Sequence, residues 1–227
     1  MLWPTTGAMK KRSSISSLAM LATALSACGG RGQEQIMPRS NDSFSNSSAR
    51  VCLSSLKAKS VRYSALPNQS FGGGCQIIDT VKLLDFGMPT TNLGAMTCPL
   101  AASFTAWAQH AVIPAARQYL GSEVARIETF GSYSCRNVGG GRAGKLSQHA
   151  FGNAVDISAF ILKDGRRVSV LSSWHGDKAE QQFLRRLHQS ACKRFGTVLG
   201  PDYNGAHANH FHFDMAYSMK DGSAYCR

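Results

Sequence analysis

The sequence predicts an α+β domain: a small, mainly antiparallel sheet with helices packed against it. Three observations lead there. Hydrophobic residues make up 43% of the 227 and charged residues 17%, a globular composition on a chain long enough to bury a core. Two stretches repeat apolar residues at helical spacing. Several short segments between them alternate apolar with polar residues, the period of a half-buried strand. The length allows one domain with extensions, or two small domains at most.

From the N-terminus, residues 1–28 read as a signal peptide. Lys10, Lys11 and Arg12 precede a short apolar run from Leu18 to Leu25, the layout of an export signal, with Met9 an alternative start. That run is too short to cross a hydrocarbon layer of about 30 Å as a helix. Its ending, Leu25-Ser26-Ala27-Cys28, resembles the bacterial lipobox, which implies a lipidated Cys28 and membrane attachment through an N-terminal lipid anchor. Gly29 rather than Asp follows, and the same resemblance then directs the chain to the outer membrane, on the periplasmic face of the cell envelope. Residues 29–50 are mostly Gly, Ser, Asn, Gln and Arg, with little to bury, and read as a flexible linker.

The folded domain is expected over residues 51–227. Cys75 to Leu84 alternates in part and suggests a strand. From Ala101 to Tyr119, the residues Phe104, Trp107, Ala108, Val112 and Ala115 recur at helical spacing. Pro114 lacks an N–H and should kink or split that helix. Val124–Gly131 reads as a strand, and Asn137–Lys145 as a glycine-rich loop. Ala154–Phe160 reads as a second strand, Lys163-Asp164-Gly165-Arg166 as a turn, and Val168–Leu171 as a returning third strand. Phe183, Leu184, Leu187, Ala191 and Phe195 line one face of a helix over Ala179–Phe195, with Gly196 at its stop. His210–Asp214 reads as a final strand, and no internal repeat is present.

The formal charge is +12, and +9 without the three cations of the leader. A basic surface suits nucleic acid, anionic lipid or an acidic cell-wall polymer. No dense Lys/Arg run and no nucleic-acid-binding module occurs in the body of the chain, so nucleic acid is not expected as a partner. Nothing in the sequence specifies an oligomeric state. Setting Cys28 aside, six cysteines remain: Cys52, Cys75, Cys98, Cys135, Cys192 and Cys226. An even number in an exported chain suggests three disulfides, for which 15 connectivities exist. The expected pairing is Cys52 with Cys75, closing a local loop, Cys98 with Cys135, and Cys192 with Cys226, tying down the C-terminal end. No CxxC pair is present, so a thiolate zinc site is not expected.

Histidine carries the chemistry. In His210-Phe211-His212-Phe213-Asp214, strand alternation puts His210, His212 and Asp214 on one face and both phenylalanines on the other. The phenylalanines would enter the core and the imidazoles, common metal ligands, would face a cleft. Strand geometry alone lets both His210 and His212 bind a metal. In Ser147-Gln148-His149-Ala150-Phe151-Gly152-Asn153-Ala154-Val155-Asp156, Gly152 permits a tight turn that brings His149 beside Asp156 at a strand start. Imidazole with carboxylate is an ordinary ligand set for zinc. Asp214 is a candidate outer partner for a ligating histidine. His110 and His188 are expected to be structural, and so is Trp174-His175, for which a place at the cleft rim is the lesser alternative.

The spacing of these segments resembles the H-x6-D and H-x-H signature of the carboxypeptidase, lysostaphin and hedgehog superfamily of zinc peptidases. GSYSCR, LSQHAFGNAVDIS, TVLGPDYN, HANHFHFD and the closing YCR resemble the bacterial extensin-like C-terminal family. The likeness covers about Cys52 to Arg227. It implies a hedgehog/D-Ala-D-Ala-peptidase-like fold, a Zn2+ held by His149, Asp156 and His212 with water at the fourth position, and a peptide bond of peptidoglycan as substrate, either a D,D cross-link or a terminal D-alanine. The carboxypeptidase branch has a general-base Glu where this chain has Asn209. The murein endopeptidase branch has H-x-x-H-x-H, which His207, His210 and His212 match. By that likeness His210 is the general acid/base and His207 assists or orients it. Arg136, in GSYSCR, would hold a substrate carboxylate or a developing oxyanion, with Tyr133 a weaker candidate. The alternative reading is a non-catalytic, metal-containing lipoprotein that binds peptidoglycan or a partner. A purely structural envelope lipoprotein does not account for the ligand set.

Overall fold

The computed structural model describes residues 47–227 apart from residue 142. The segments read as signal peptide, with Cys28, and most of that read as linker lie outside the described residues. Helix α1 (Ser47–Ala58) starts within the stretch read as linker, because Ala49 and Leu56 are buried where α1 packs on α2 (Cys98–Trp107). Between these helices run β1 (Arg62–Ala65), β2 (Gln69–Ser70), β3 (Gln76–Ile77), β4 (Thr80–Asp85) and β5 (Met96–Thr97). A three-stranded antiparallel sheet has the order β1-β4-β5, and β2 pairs with β3. The one strand expected over Cys75–Leu84 is therefore two, broken at Asp79, whose φ of +50° takes the chain out of extended geometry.

The long helix begins at Cys98 with Pro99 in its first turn, where a missing N–H breaks no helical bond. It continues through a wide turn at Ala108–Val112, α3 (Ile113–Ala115) and a second wide turn at Ala116–Leu120. Pro114 explains the widening: it cannot donate to the preceding turn, and the ladder shifts to wider spacing around it. The helix neither splits nor stops until Gly121, at φ +61°.

The main sheet contains β6 (Val124–Gly131), β7 (Ala154–Leu162), β8 (Arg167–Ser169), β9 (Thr197–Leu199), β10 (Phe211–Asp214) and β11 (Tyr225–Cys226). Its order is β11-β9-β10-β7-β6, with β8 also pairing with β7. Pairing is antiparallel except between β11 and β9. The third strand ends at Ser169, because Val170 turns inward and starts a short helix, α4 (Val170–Ser173), leaving Leu171 exposed. Helix α5 (Lys178–Ala191) is capped by Asp177, which accepts from the Ala179 and Glu180 N–H groups. It ends before Phe195, which reaches the core from the following turn.

Of three register slips between β6 and β7, the two nearer the site decide which side chains face it. The register slips between Glu128 and Thr129, placing an extra residue in β7 at Ser158. Val155 and Ile157 before the slip and Phe160 and Leu162 after it all join the core. Asp156 stays on the opposite face. A second slip lies between Thr129 and Gly131, so Phe130 is an extra residue in β6 and is 58% exposed. Bulges of this kind re-aim side chains next to functional sites.

The core lies between the sheet and the helices. Trp107 packs edge-on against Phe213 with ring centroids 5.2 Å apart, and its indole N–H donates to the Leu187 carbonyl at 3.1 Å. Phe160 meets Phe183 and Phe195 meets Phe213 at 5.1 and 4.9 Å. Phe211 and Phe213 are fully buried, as strand alternation requires.

Two of the three expected disulfide pairings are corrected. The bonds are Cys52–Cys98, Cys75–Cys135 and Cys192–Cys226. Cys52 sits in the middle of α1, and the packing of α1 on α2 delivers it to Cys98 at the start of α2 rather than to the nearer Cys75. Cys75, just before β3, is thereby free to meet Cys135 after β6, with the Cα atoms 5.6 Å apart. Three disulfides suit an oxidising compartment. No helix among the described residues is long and apolar enough to cross a membrane.

Candidate metal centre

Each half of the sheet supplies one side chain. Asp156 in β7 and His212 in β10 lie directly opposite one another in the antiparallel ladder. Such pairs on one face are near neighbours. His149 arrives from a short 3-10 turn, Gln148–Phe151, whose cap is Ser147: its hydroxyl accepts from the His149 N–H. Gly152 ends that turn at φ +61°, and a Cβ placed there would sit 3.1 Å from the Ala95 carbonyl oxygen. The turn that the sequence assigned to Gly152 is thus real, and close backbone approach adds a second reason for glycine. Gly152→Ala is expected to destabilise the domain by about 1–2 kcal/mol, the usual penalty for a left-handed non-glycine residue. Urea denaturation of wild type and variant checks this.

The three ligand atoms form a small triangle. His149 Nε2 is 3.1 Å from Asp156 Oδ1 and 3.2 Å from His212 Nδ1, and His212 Nδ1 is 2.9 Å from Asp156 Oδ1. All three residues are buried, at 2%, 6% and 8% exposure. Outer acceptors set the ring tautomers. His149 Nδ1 is 3.1 Å from the Ser132 carbonyl, which can only accept, so Nε2 carries the lone pair toward the site. His212 Nε2 is 2.9 Å from Asp214 Oδ2, which likewise turns the Nδ1 lone pair inward. Asp214 is itself held by the Ala216 N–H at 2.7 Å. Asp156 Oδ2 takes an N–H of Arg136 at 3.2 Å, leaving Oδ1 for the centre.

Three acceptor atoms that converge at about 3 Å repel one another unless a cation lies among them. Burial opposes charge on His212, but hydrogen bonds to Asp156 and Asp214 outweigh it and push its pKa up to about 9. Burial also opposes charge on Asp156, yet its close contacts with His149 and His212 hold its carboxyl far below the usual range. A tetrahedral zinc ion with ligands at about 2.0–2.1 Å sets its ligand atoms roughly 3.3 Å apart. The triangle meets that spacing within a few tenths of an ångström, with an outer acceptor in place on the far ring nitrogen of each histidine. Zinc fits this site. His149, Asp156 and His212 are the group that could hold a metal ion among the described residues.

His210 and His207 stand beside it. His210 precedes β10 rather than belonging to it, and its Nε2 is 3.6 Å from Asp156 Oδ1. Its Nδ1 pairs with Asn209 Oδ1 at 2.8 Å, so Nε2 is the accepting nitrogen. Phe130, turned out by its bulge, packs edge-on to the His210 ring at 5.6 Å. His207 Nδ1 pairs with Asn204 Oδ1 at 2.8 Å, and its ring is 5.2 Å from that of His210 and 5.9 Å from that of His212. Burial, then the neighbouring His210, lowers the His207 pKa to about 4. Burial also lowers that of His210, against the pull of Asp156. Arg136, His207, His210 and His212 line one cleft, with Lys145 and Tyr203 at its edges.

The remaining aromatic and histidine residues lie away from the centre. Trp174 is structural rather than at the cleft rim: it is buried behind the sheet against Phe211 and His188. His110 is exposed on the long helix, and His188 bonds the backbone oxygen of Arg227 at 3.1 Å. Tyr133 stacks near Phe71 at 5.5 Å, and its hydroxyl lacks a hydrogen-bond partner among the described residues. The Ser132 carbonyl was invisible to sequence reasoning, because every residue carries a carbonyl and only the fold aims this one at His149.

Comparison with known families agrees with the motifs. The family model described as Extensin-like protein C-terminus matches residues 50–227. No curated protein and no solved structure matches the chain. The chain belongs to the extensin-like C-terminal family.

Proposed function

We propose that this member of the extensin-like C-terminal family is a zinc-dependent peptidase that cleaves peptide bonds of peptidoglycan. One observation carries the reading: three buried acceptor atoms, their tautomers set by outer partners, converge with zinc spacing in a cleft that also holds two further histidines. Export, a lipid anchor at Cys28 on the periplasmic face of the outer membrane, and basic charge fit a cell-wall substrate of the D,D-endopeptidase or D,D-carboxypeptidase type.

Zinc bound there supplies a Lewis acid and a water acidified to near neutrality. The chain's own residues supply the rest. Ser132 and Asp214 hold the two ligand imidazoles in the ligating tautomer. Arg136 keeps Asp156 to a single inward oxygen, and its remaining N–H groups border the cleft, where a substrate carboxylate or developing oxyanion can take them. His210 is the general acid/base: its Nδ1–H is held by Asn209 and its Nε2 is free to accept a proton beside the ligands. His207, held by Asn204, assists from the next position along the loop.

His210→Ala separates chemistry from metal binding. It is expected to keep one zinc per chain while fragment release from purified peptidoglycan falls by about 10²–10⁴-fold. Unchanged release would remove His210 from the mechanism. One feature favours a second reading, a non-catalytic lipoprotein that grips peptidoglycan or a partner through this cleft. Asn209 stands where the carboxypeptidase branch has its Glu, and it is exposed with its oxygen committed to His210. Zinc-loaded wild type that binds peptidoglycan yet releases no fragments would select that reading.

A further inference from the structure

The loop between β9 and β10, residues 200–210, carries both non-ligand histidines of the cleft, yet most of its hydrogen bonds are internal. Tyr203 N–H bonds the Gly200 carbonyl, the His207 N–H bonds that of Asn204, and the His207 and His210 side chains bond Asn204 and Asn209 of the same loop. Two residues are exceptions: the Gly200 N–H bonds the Arg227 carbonyl at 2.9 Å, and the Asp202 side chain bonds outside the loop. Asp202 Oδ1 accepts from the Trp174 indole at 2.7 Å and its Oδ2 from Arg185 at 3.1 Å. Among the described residues, these are the side-chain hydrogen bonds that tie the loop to other elements.

The two donors are themselves fixed. The Arg185 guanidinium lies 4.3 Å over the Trp174 ring, a cation–π contact. Trp174 is 3% exposed and packs edge-on against Phe211 at 5.6 Å, the residue next to ligand His212. One indole therefore braces the ligand strand through Phe211 and the histidine loop through Asp202. Tyr203, next to Asp202, packs on the His207 ring at 5.4 Å, so displacement of Asp202 is passed directly to that histidine.

We infer that Asp202 is a positioning residue: it clamps the loop bearing His207 and His210 to Trp174 and Arg185, behind the sheet, and so sets those histidines over the metal centre. The inference rests on the peptidase reading for its effect on turnover, but the clamp itself is independent of it. The test compares Asp202→Ala, which removes both bonds, with Asp202→Asn, which keeps the shape and an acceptor for Trp174. Both are measured as zinc-loaded protein by zinc content, amide hydrogen exchange over residues 200–210, and kcat and KM on peptidoglycan fragments. Asp202→Ala should keep one zinc per chain, raise exchange in this loop at least tenfold, and lower kcat by about 10–100-fold with a smaller change in KM; Asp202→Asn should fall between it and wild type. Loop exchange equal to wild type in both variants overturns the clamp, whether or not the protein cleaves peptidoglycan. If wild type proves inactive but Asp202→Ala loosens the loop, the clamp stands and only the peptidase reading fails. If either variant loses zinc along with loop protection, Asp202 serves the whole site and the assignment to His207 and His210 is overturned. Should Asp202→Ala not fold, the Asp202→Asn result decides on the same criteria.

Discussion

Replacing His212 by alanine is expected to abolish both zinc binding and peptidoglycan cleavage while leaving a folded domain. His212 holds its place through Asp156 on one ring nitrogen and Asp214 on the other. Its loss removes one of three inward donor atoms and leaves two, too few for a closed tetrahedral set with one open position. Loss of an outer partner alone weakens metal sites by roughly 10–100-fold, so loss of the ligand is expected to exceed that range. The fold survives because the core does not pass through this ring: Phe211 and Phe213 lie on the other face of β10 and remain buried. Asp214 keeps the Ala216 N–H as a partner. Competition against a chelator of known affinity measures the metal, and chromatography of peptidoglycan digests measures the activity. Retention of stoichiometric zinc by this variant would reject the ligand assignment. Loss of zinc with unchanged digestion would reject catalysis through the site.

That His149, Asp156 and His212 come together was legible from one strand alternation and one glycine turn, whereas choosing them over His210 as the group that could hold a metal ion rested on the family resemblance. Alternation across Phe211–Asp214 separates the imidazole and carboxylate face from the phenylalanine face in any strand, whatever it pairs with. Gly152 marked the turn that returns His149 to Asp156, since few other residues tolerate that backbone. What alternation could not show is where it fails. The extra residues at Ser158 and Phe130 arise from the pairing of β6 with β7, a non-local event with no local signature, and they let one strand present Asp156 to the cleft and Phe160 to the core. The disulfides failed for the same reason. Sequence distance favoured closing Cys52 on Cys75, whereas helix packing decided the outcome. Nothing in the sequence singles out Asp202, because its meeting with Trp174 depends on the loop folding back behind the sheet.

Removing the Cys75–Cys135 bond is expected to lower both stability and metal affinity, whereas removing Cys192–Cys226 lowers stability alone. The first closes a separation of 60 residues and the second one of 34. Loop-closure entropy grows only with the logarithm of length, so each bond contributes about 4 kcal/mol on the chain-entropy model. Against a total of roughly 5–15 kcal/mol, either loss is severe. The difference lies in what each bond anchors. Cys135 adjoins Arg136, the residue that holds Asp156 to one inward oxygen. Three residues earlier, the Ser132 carbonyl sets the His149 tautomer, and between them the Ser134 N–H bonds the His149 carbonyl at 3.2 Å. Residues 132–136 thus form a strap along one side of the metal centre, and Cys75 pins its end to the body of the domain. Cys192 and Cys226 instead join the end of α5 to the edge strand β11, away from the ligands. Paired Cys→Ser variants at each bond, measured by denaturant unfolding without reductant and by zinc competition, should both lose about 4 kcal/mol. Only the Cys75→Ser, Cys135→Ser protein should also bind zinc about 10–100-fold more weakly, the usual effect of disturbing outer partners. Equal zinc affinity in the two variants would show that the strap holds its position without the bond.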